Sequence, residues 1–222
     1  MPRLVVAAAL LACLLVAGAT QRVRAAPDDG RLRSDDGDTV HVTPEIRAAG
    51  LRFGPEVSAS DRAWMLAAIA RARPEAQRLI GEVDGMVTIT TAGTGAMMGL
   101  TQPLPTGFRL WLNVARLDDT RIVDRDTTVL HELGHVIDFS LIDAQLDRRL
   151  DDGIPRGGHC DQQNGVLYGD CAPAPERIAD TFAKWALGGS VSALGAGYTI
   201  SAPPSLDAWG LPLASLAASL PG

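Results

Sequence analysis

Alternation of apolar and polar residues marks the predicted strands of this chain. Every second residue over 108–114 is apolar, beginning with Phe108, and the residues between them are Arg, Trp and Asn. Because successive side chains of a strand point to opposite faces, this pattern predicts a half-buried strand. Short β-branched stretches predict further strands over 39–43 and 86–90. The segment 92–107 contains four Gly and two Pro, which predicts a loop.

Helical spacing of apolar residues is the main pattern in the rest of the chain. The predicted helices are 61–72 with Ser60 as the N-cap, 74–82, a long helix that starts at Asp124 or Asp126 and ends near Leu141, 176–187, and a short helix from Ser205. The segment 153–175 is predicted to be a loop between two of these helices. Short strands followed by helices favour an α+β fold.

The first 25 residues have the features of a secretory signal peptide. Arg3 precedes an uncharged apolar run that ends at Ala17, which is short for a membrane span and typical of an export signal. Small residues offer cleavage sites after Ala19 or Ala25, and we expect the second; an uncleaved anchor is the alternative. The mature chain is expected to be secreted or held in the cell envelope, with no membrane span of its own.

Removal of the export signal changes the cysteine count. Cys13 is lost with it, unless the chain is a lipoprotein modified at that residue. Cys160 and Cys171 remain, and an even pair in an exported protein predicts a disulfide, with two free thiols as the alternative. In the chain-entropy model, closing a loop of this size stabilises the fold by about 3 kcal/mol.

Length and charge limit the possible functions. The chain has 222 residues, enough for one domain, which we place over 44–222 after a polar tail over 26–43 that is expected to be mobile. It carries 20 basic and 26 acidic residues, a formal charge of −6, which becomes −9 when Arg3, Arg22 and Arg24 leave with the signal. Without a basic surplus the chain is not expected to bind nucleic acid.

The chemistry is concentrated in His131-Glu132-Leu133-Gly134-His135, an H-E-x-x-H motif within the long predicted helix. Residues four apart on a helix differ by about 40° in direction, so both imidazoles project from one face and can bind one zinc ion. Glu132 lies about 100° round from His131, from where it can take a proton from water near the metal. The alternative is a pair of surface histidines beside an ordinary helix carboxylate.

A catalytic zinc site needs a third protein ligand. The metzincin pattern places Gly and His after the second histidine, but Asp138 and Leu141 occupy those positions. Glu176, at the start of the later predicted helix, is the best candidate, ahead of His41 and His159. The alternative is that Glu176 is only a carboxylate favoured at a helix N-terminus.

Two more carboxylates are expected to support the site without binding metal. Asp180 follows Glu176 by one turn on the same helical face, and we predict that it accepts a hydrogen bond from a zinc-binding histidine. Asp138 lies two turns beyond His131, too far along the helix axis to be a ligand.

As a set, these motifs resemble the gluzincin metallopeptidases. The resemblance is closer to the catalytic domain of anthrax lethal factor and its small secreted relatives, including the Pro-Pro endopeptidases, and covers about 108–187. The matching residues are His131-Glu132-Leu133-Gly134-His135-Val136-Ile137-Asp138, Tyr168-Gly169 and Glu176-x-x-Ala179-Asp180-x-Phe182. The resemblance implies one zinc per chain, held by His131, His135 and Glu176, with Glu132 as the general base.

The resemblance also implies a fold and an oxyanion donor. The expected fold is a single zincin-like domain, with a small mixed sheet, an edge strand over the active-site helix and a helical C-terminal part. Peptidases of this kind bind extended peptides along the edge strand, which assigns that role to 108–114. Tyr168 is expected to donate a hydrogen bond to the oxyanion, with an ordinary loop tyrosine as the alternative. The pair Cys160 and Cys171 around it departs from the family pattern.

These observations predict a secreted, monomeric zinc metalloendopeptidase acting on peptide or protein substrates. The negative charge would favour basic or neutral peptides over acidic ones. Two alternatives remain: an exported binding protein that keeps the fold without turnover, and a zinc amidohydrolase that acts on cell-envelope material instead of peptides. The intact Glu132 speaks against the first, since a silent scaffold has no need of a general base.

Overall fold

The structure begins with a short hairpin. The computed structural model describes the chain over 31–33, 39–41, 50–91, 97–119, 124–163, 166–189 and 198–221. The predicted export signal, its cleavage site and Cys13 lie outside these residues. Strand β1 (Arg31–Arg33) pairs antiparallel with β2 (Thr39–His41). The strand expected over 39–43 is therefore present, and β1 adds a strand to the segment expected to be a mobile tail.

Four further strands form one mixed sheet. They are β3 (Arg52–Phe53), β4 (Val87–Thr90), β5 (Gly99–Leu104) and β6 (Gly107–Leu112), in the spatial order β3-β4-β6-β5. β4 runs parallel to both β3 and β6, whereas β5 and β6 form an antiparallel hairpin. With the helices below, this sheet confirms the α+β class.

Helices make up most of the remaining described chain. They are α1 (Ala59–Arg71), α2 (Pro74–Val83), α3 (Val114–Asp119), α4 (Arg125–Leu141), α5 (Ala144–Asp152), α6 (Ala174–Ala186) and α7 (Leu206–Ser219), with a 3-10 turn over Asp84–Met86. The five predicted helices are all present, and α3 and α5 are additional. Within the described ranges, no helix combines the length and apolar character that a membrane crossing requires.

The edge of the sheet is a strand where the Gly and Pro content predicted a loop. β5 is extended in spite of Pro103, because an edge strand tolerates a proline whose missing N–H costs no ladder bond. The predicted strand 108–114 lies between β4 and β5, so the expectation that it forms the edge and pairs with a peptide is wrong. It also ends at Leu112, since Val114 begins α3.

Side-chain caps fix where the helices begin. Asp124, one of the two candidates, caps α4 by accepting a hydrogen bond from the Thr127 N–H at 3.1 Å. Ser58 caps α1, because its hydroxyl accepts a hydrogen bond from the Asp61 N–H at 3.1 Å. The prediction of Ser60 as the N-cap was therefore wrong by two residues.

The structure adds regular elements around the predicted loop 153–175. α5 precedes it and is capped by Asp143, whose side chain accepts hydrogen bonds from two N–H groups of its first turn. Its apolar residues are too few to give a clear helical period. Within the loop, β7 (Cys160–Gln163) and β8 (Val166–Gly169) form an antiparallel hairpin. The prediction of a loop is wrong there.

The core lies between the sheet and the helices. Leu110 and Leu112 are fully buried, as the alternation predicted, and Val87 and Ile89 of the neighbouring strand are buried with them. α4 packs against α1, α2 and α6 and against β5 and β6 of the sheet, so all of its residues from Thr127 to Asp138 are buried. The H-E-x-x-H motif thus lies in the interior instead of on the surface.

α4 and α6 approach closely at Gly134. A Cβ added there would lie 3.1 Å from a ring carbon of Phe182 and 3.2 Å from the Cα of Ala179. Such distances are shorter than ordinary van der Waals contact. The missing side chain of Gly134 therefore lets the two helix backbones come together beside the motif.

We expect Gly134→Val to lower the free energy of unfolding by about 1–3 kcal/mol, because overpacking a filled interface costs that much. Denaturant unfolding measures the change. Gly85→Val is the control, since a Cβ at Gly85 meets nothing within 4 Å, and its effect should stay under about 1 kcal/mol. Equal losses in both variants would contradict a tight α4–α6 contact.

Candidate metal centre

Two histidine rings of α4 meet one turn apart. His131 and His135 are 2% and 7% exposed, and their Nε2 atoms lie 3.1 Å from each other. Their ring planes are nearly perpendicular, with centroids 4.8 Å apart. The helical spacing of the motif therefore aims both nitrogens at one point, as predicted.

Glu176 brings the third donor atom from the first turn of α6. Its Oε2 lies 3.1 Å from His131 Nε2 and 3.4 Å from His135 Nε2. A tetrahedral zinc ion with bonds near 2.0–2.1 Å places its ligand atoms about 3.3 Å apart. The three measured distances match that spacing, so the two imidazoles and the carboxylate could hold a divalent cation.

The next residue of α6 anchors this turn. Arg177 is buried and donates hydrogen bonds from Nε to Asp151 Oδ1 at 3.0 Å and from Nη1 to the Asp170 carbonyl at 3.1 Å. Asp151 belongs to α5, so this buried ion pair ties α5 to the start of α6. The contact fixes the position of the backbone that carries Glu176.

Interactions between the donor groups favour the charged form of both Glu176 and His131. Burial opposes ionisation of Glu176, but hydrogen bonds and charge from His131 and His135 outweigh it and hold the pKa of Glu176 well below its usual value. Burial likewise opposes charging of His131, but its bond to Glu176 and the surrounding carboxylates raise its pKa. The arrangement thus favours positive charge at the point where the donors meet.

Glu132 faces the edge strand instead of the donor cluster. Thr101 of β5 donates a hydrogen bond to Glu132 Oε2 at 2.6 Å, and the same hydroxyl lies 3.0 Å from the Glu132 carbonyl. A Cβ added at Gly99 would lie 2.2 Å from Glu132 Oε1, so the carboxylate rests directly on the Gly99 backbone. Glycine is required there by this close approach.

Burial raises the pKa of Glu132, although the charges of His131 and His135 and the Thr101 hydrogen bond oppose the rise. A carboxylate with a raised pKa is better matched to proton transfer near neutral pH. The sequence identified Glu132 by its place in the motif. It did not identify Gly99 and Thr101, because their segment had the composition of a loop.

Asp180 does not make the predicted hydrogen bond. Its carboxylate is fully buried and pairs with Lys184 Nζ at 2.6 Å, one turn further along α6. The Nδ1 atoms of His131 and His135 are buried without a hydrogen-bond partner among the described residues. Asp180 acts on the site through charge, as one of the carboxylates that raise the pKa of His131.

Asp138 lies beside the donor cluster and outside it. The carboxyl group is buried near the end of α4 and is not one of the three groups that meet. Burial raises the pKa of Asp138 to about 6, and the charge of Asp147 adds to the rise. This placement agrees with the prediction that Asp138 is not a ligand.

The disulfide predicted from the cysteine pair is present. Cys160 and Cys171 are bonded, with Cα atoms 5.3 Å apart, and the bond closes the β7–β8 hairpin onto the turn that leads to α6. Tyr168 lies on β8 of this hairpin. The disulfide therefore ties the hairpin that carries Tyr168 to the chain just before α6, the helix that carries Glu176.

A second tyrosine lies closer to the donor cluster than Tyr168 does. The Tyr198 ring stacks on His131, with centroids 5.6 Å apart and planes 7° from parallel, and the Tyr168 ring stacks on Tyr198 with centroids 5.4 Å apart. Burial raises the pKa of Tyr198, and the nearby charges of Glu176 and Glu132 add to the rise. Tyr198 follows a Gly-rich stretch without periodicity, so no sequence pattern marked it.

Comparison of the chain with family models, curated proteins and solved structures finds no match. The chemistry of the site therefore follows from its own geometry, in which His131, His135 and Glu176 converge from two helices.

We expect Glu176→Gln to weaken binding of Zn²⁺ by about 100-fold or more, because a neutral amide replaces one of three donors and removes its charge. Isothermal titration with zinc chloride measures the affinity and the number of ions per chain. Glu82→Gln is the matched control, since Glu82 is an exposed glutamate near the end of α2. Equal zinc affinity in both variants would remove Glu176 from the ligand set.

Proposed function

We propose that this protein is an exported zinc metalloendopeptidase with one zinc ion per chain. The observation that carries the proposal is the meeting of His131, His135 and Glu176 with tetrahedral ligand spacing, beside a separately held Glu132. Three protein ligands leave one coordination position open, which is the arrangement of catalytic and not structural zinc sites. Zinc bound there supplies Lewis-acid polarisation of a carbonyl and lowers the pKa of water.

Glu132 is the general base in this proposal. It takes a proton from the attacking water as the water oxygen bonds to the carbonyl carbon, and it delivers that proton to the leaving nitrogen when the C–N bond breaks. Its carboxylate is held by Thr101 and by the Gly99 backbone, so it is oriented before substrate binds.

The edge strand β5 is the proposed peptide-binding element. Its only strand neighbour among the described residues is β6, so its other side is open to an extended peptide. Because Thr101 and Gly99 of the same strand contact Glu132, a peptide that pairs with β5 lies beside the general base. This strand replaces 108–114 in the role expected from the sequence.

An exposed aromatic side chain lies beside His135. Phe139 is 51% exposed and stacks on His135, with ring centroids 5.9 Å apart, and Phe108 stacks against it in turn at 6.3 Å. An exposed aromatic ring beside a catalytic site offers contact to an apolar side chain of a bound peptide. This favours a peptide substrate over a small polar one.

The proposal includes a zincin-like fold and an extracellular or cell-envelope location. An antiparallel edge strand above the helix that carries the motif supports the fold, and the disulfide between Cys160 and Cys171 supports an oxidising compartment. The signal-like N-terminal sequence points to the same location. The proposal also includes a monomer, because one chain carries all three donor residues and the base and needs no second copy to complete the site.

Glu132→Gln should keep about one zinc per chain and lose peptide cleavage by a factor of about 10³. The amide keeps the shape of the side chain but cannot accept the proton. Cleavage of a diverse peptide library, with and without chelator, is read by mass spectrometry, with Glu82→Gln as the control. Undiminished, chelator-sensitive cleavage by Glu132→Gln would contradict the mechanism.

The same library, run in parallel with isolated cell-envelope material, separates the two other candidates. Cleavage of cell-envelope material but of no peptide would favour the amidohydrolase, and zinc binding without any turnover would favour a binding protein. Either result in the unmodified protein would contradict the endopeptidase proposal.

Gly99→Ala should lower kcat by about 10- to 100-fold with zinc affinity unchanged, because the added methyl group displaces the Glu132 carboxylate. Steady-state kinetics on a cleaved peptide measure kcat, and zinc titration checks the metal site. Gly85→Ala is the control, since its Cβ would meet nothing within 4 Å. Full activity of Gly99→Ala would show that the position of Glu132 against β5 is not needed.

A further inference from the structure

The backbone of β5 alternates between groups that bind β6 and groups that face the open edge of the sheet. The Asn113 N–H donates a hydrogen bond to the Met98 carbonyl at 2.9 Å, in register with the β5–β6 pairs that follow. In an antiparallel ladder such bonded pairs recur at every second residue, and the backbone groups between them point to the opposite side. In β5 the residues between the bonded pairs are Gly99, Thr101 and Pro103.

A contact on the far side of β6 gives the same assignment. Leu110 of β6 lies opposite Thr101, and the Thr90 hydroxyl of β4 donates a hydrogen bond to the Leu110 carbonyl at 3.3 Å. That carbonyl therefore faces β4 and not β5. The N–H and C=O of Thr101 accordingly point away from β6, to a side on which no strand lies among the described residues.

Two of the three outward-facing residues contact the proposed general base. Thr101 donates its hydroxyl hydrogen bond to Glu132 Oε2, and the Gly99 backbone lies against Glu132 Oε1. Each of these two residues also offers both an N–H and a C=O to the open edge. A peptide that pairs with them is therefore bound by four backbone groups directly beside Glu132.

Pro103 interrupts this row of outward-facing groups. It is exposed, and its ring nitrogen carries no hydrogen, so the third outward position offers a carbonyl and no donor. The missing N–H costs the β5–β6 hairpin nothing, because it would point away from β6. The loss falls only on a chain that pairs with the open edge.

We infer that β5 pairs fully with its substrate at only two residues, Gly99 and Thr101, and that Pro103 ends the ladder. This inference rests on the proposed function. The substrate is then a short extended segment, such as a loop or linker, and not a long β-strand. Pro103 determines specificity because it stops affinity from growing with the length of the paired segment.

The test uses two series of zinc-binding peptides that require no turnover. Acetyl-(Ala)n-Leu hydroxamates extend from the metal toward the peptide N-terminus, and mercaptoacetyl-Leu-(Ala)n amides extend toward the C-terminus, one alanine at a time. Their oxygen and thiolate groups are ligands for Zn²⁺. One series runs along β5 toward Pro103 whichever direction the peptide takes, and the other series is its internal control.

Calorimetry on the zinc-loaded protein compares the unmodified chain with Pro103→Ala, which restores the N–H. In the series that reaches Pro103, the longer ligands should bind Pro103→Ala about 2- to 10-fold more tightly, because one hydrogen bond is gained. The shortest ligands and the other series should bind both proteins equally. Pro105→Ala is the matched control and should change neither series, since Pro105 is exposed in the turn between β5 and β6.

The outcomes separate the two proposals. Equal affinity of both proteins for every ligand would overturn the inference and leave the endopeptidase proposal standing. Dimers of Pro103→Ala in analytical ultracentrifugation, without tighter ligand binding, would mean that Pro103 prevents pairing with a second copy, and would also overturn it. Tighter binding by Pro103→Ala, in a protein that cleaves no peptide, would support the inference and contradict the endopeptidase.

Discussion

The close packing of α4 against α6 is the constraint on which the site depends. Gly134, between the two histidines of the motif, leaves room for the backbone at Ala179, and Phe182 fills the remaining space. Without that approach Glu176 would not reach the imidazoles. The buried ion pair between Arg177 and Asp151 fixes the position of α6 relative to α5. The cluster of three donor groups is thus a product of helix packing as much as of the residues that form it.

Two glutamates share one pocket in opposite electrostatic surroundings. Glu176 lies among imidazole nitrogens, which lower its pKa, and Glu132 lies against the edge strand, where burial raises its pKa. When the environments of two carboxyl groups move their pKa values apart in this way, the group with the lower pKa is suited to bind a cation and the group with the higher pKa to carry a proton. Burial of Glu132 creates this difference, while the hydrogen bond from Thr101 orients its carboxylate and opposes the rise in its pKa.

The part of the chain after α5 surrounds Glu176 and fixes its position. The disulfide hairpin, the hydrogen bonds from Ser201 to Asp170 and the Lys184 contact to Ile200 bring three distant stretches together beside α6. Burying charged groups is costly unless each has a partner, and here the carboxylate of Asp170 and the ammonium of Lys184 are both bonded. Their bonds place Tyr198 on the face of His131.

Local rules were enough to determine five of the seven described helices, the half-buried alternation at Leu110 and Leu112, and the histidine pair, because helical and strand periods act over a few residues. Glu176 could also be predicted from the sequence, because the H-E-x-x-H motif indicates that a third ligand must come from elsewhere in the chain. The edge strand, the Thr101 contact and Tyr198 were decided only by tertiary structure. A segment that contains Gly and Pro can form a strand when a neighbouring strand supplies backbone hydrogen bonds, as β6 does for β5. The position of Tyr198 depends on residues far apart in sequence that pack around it.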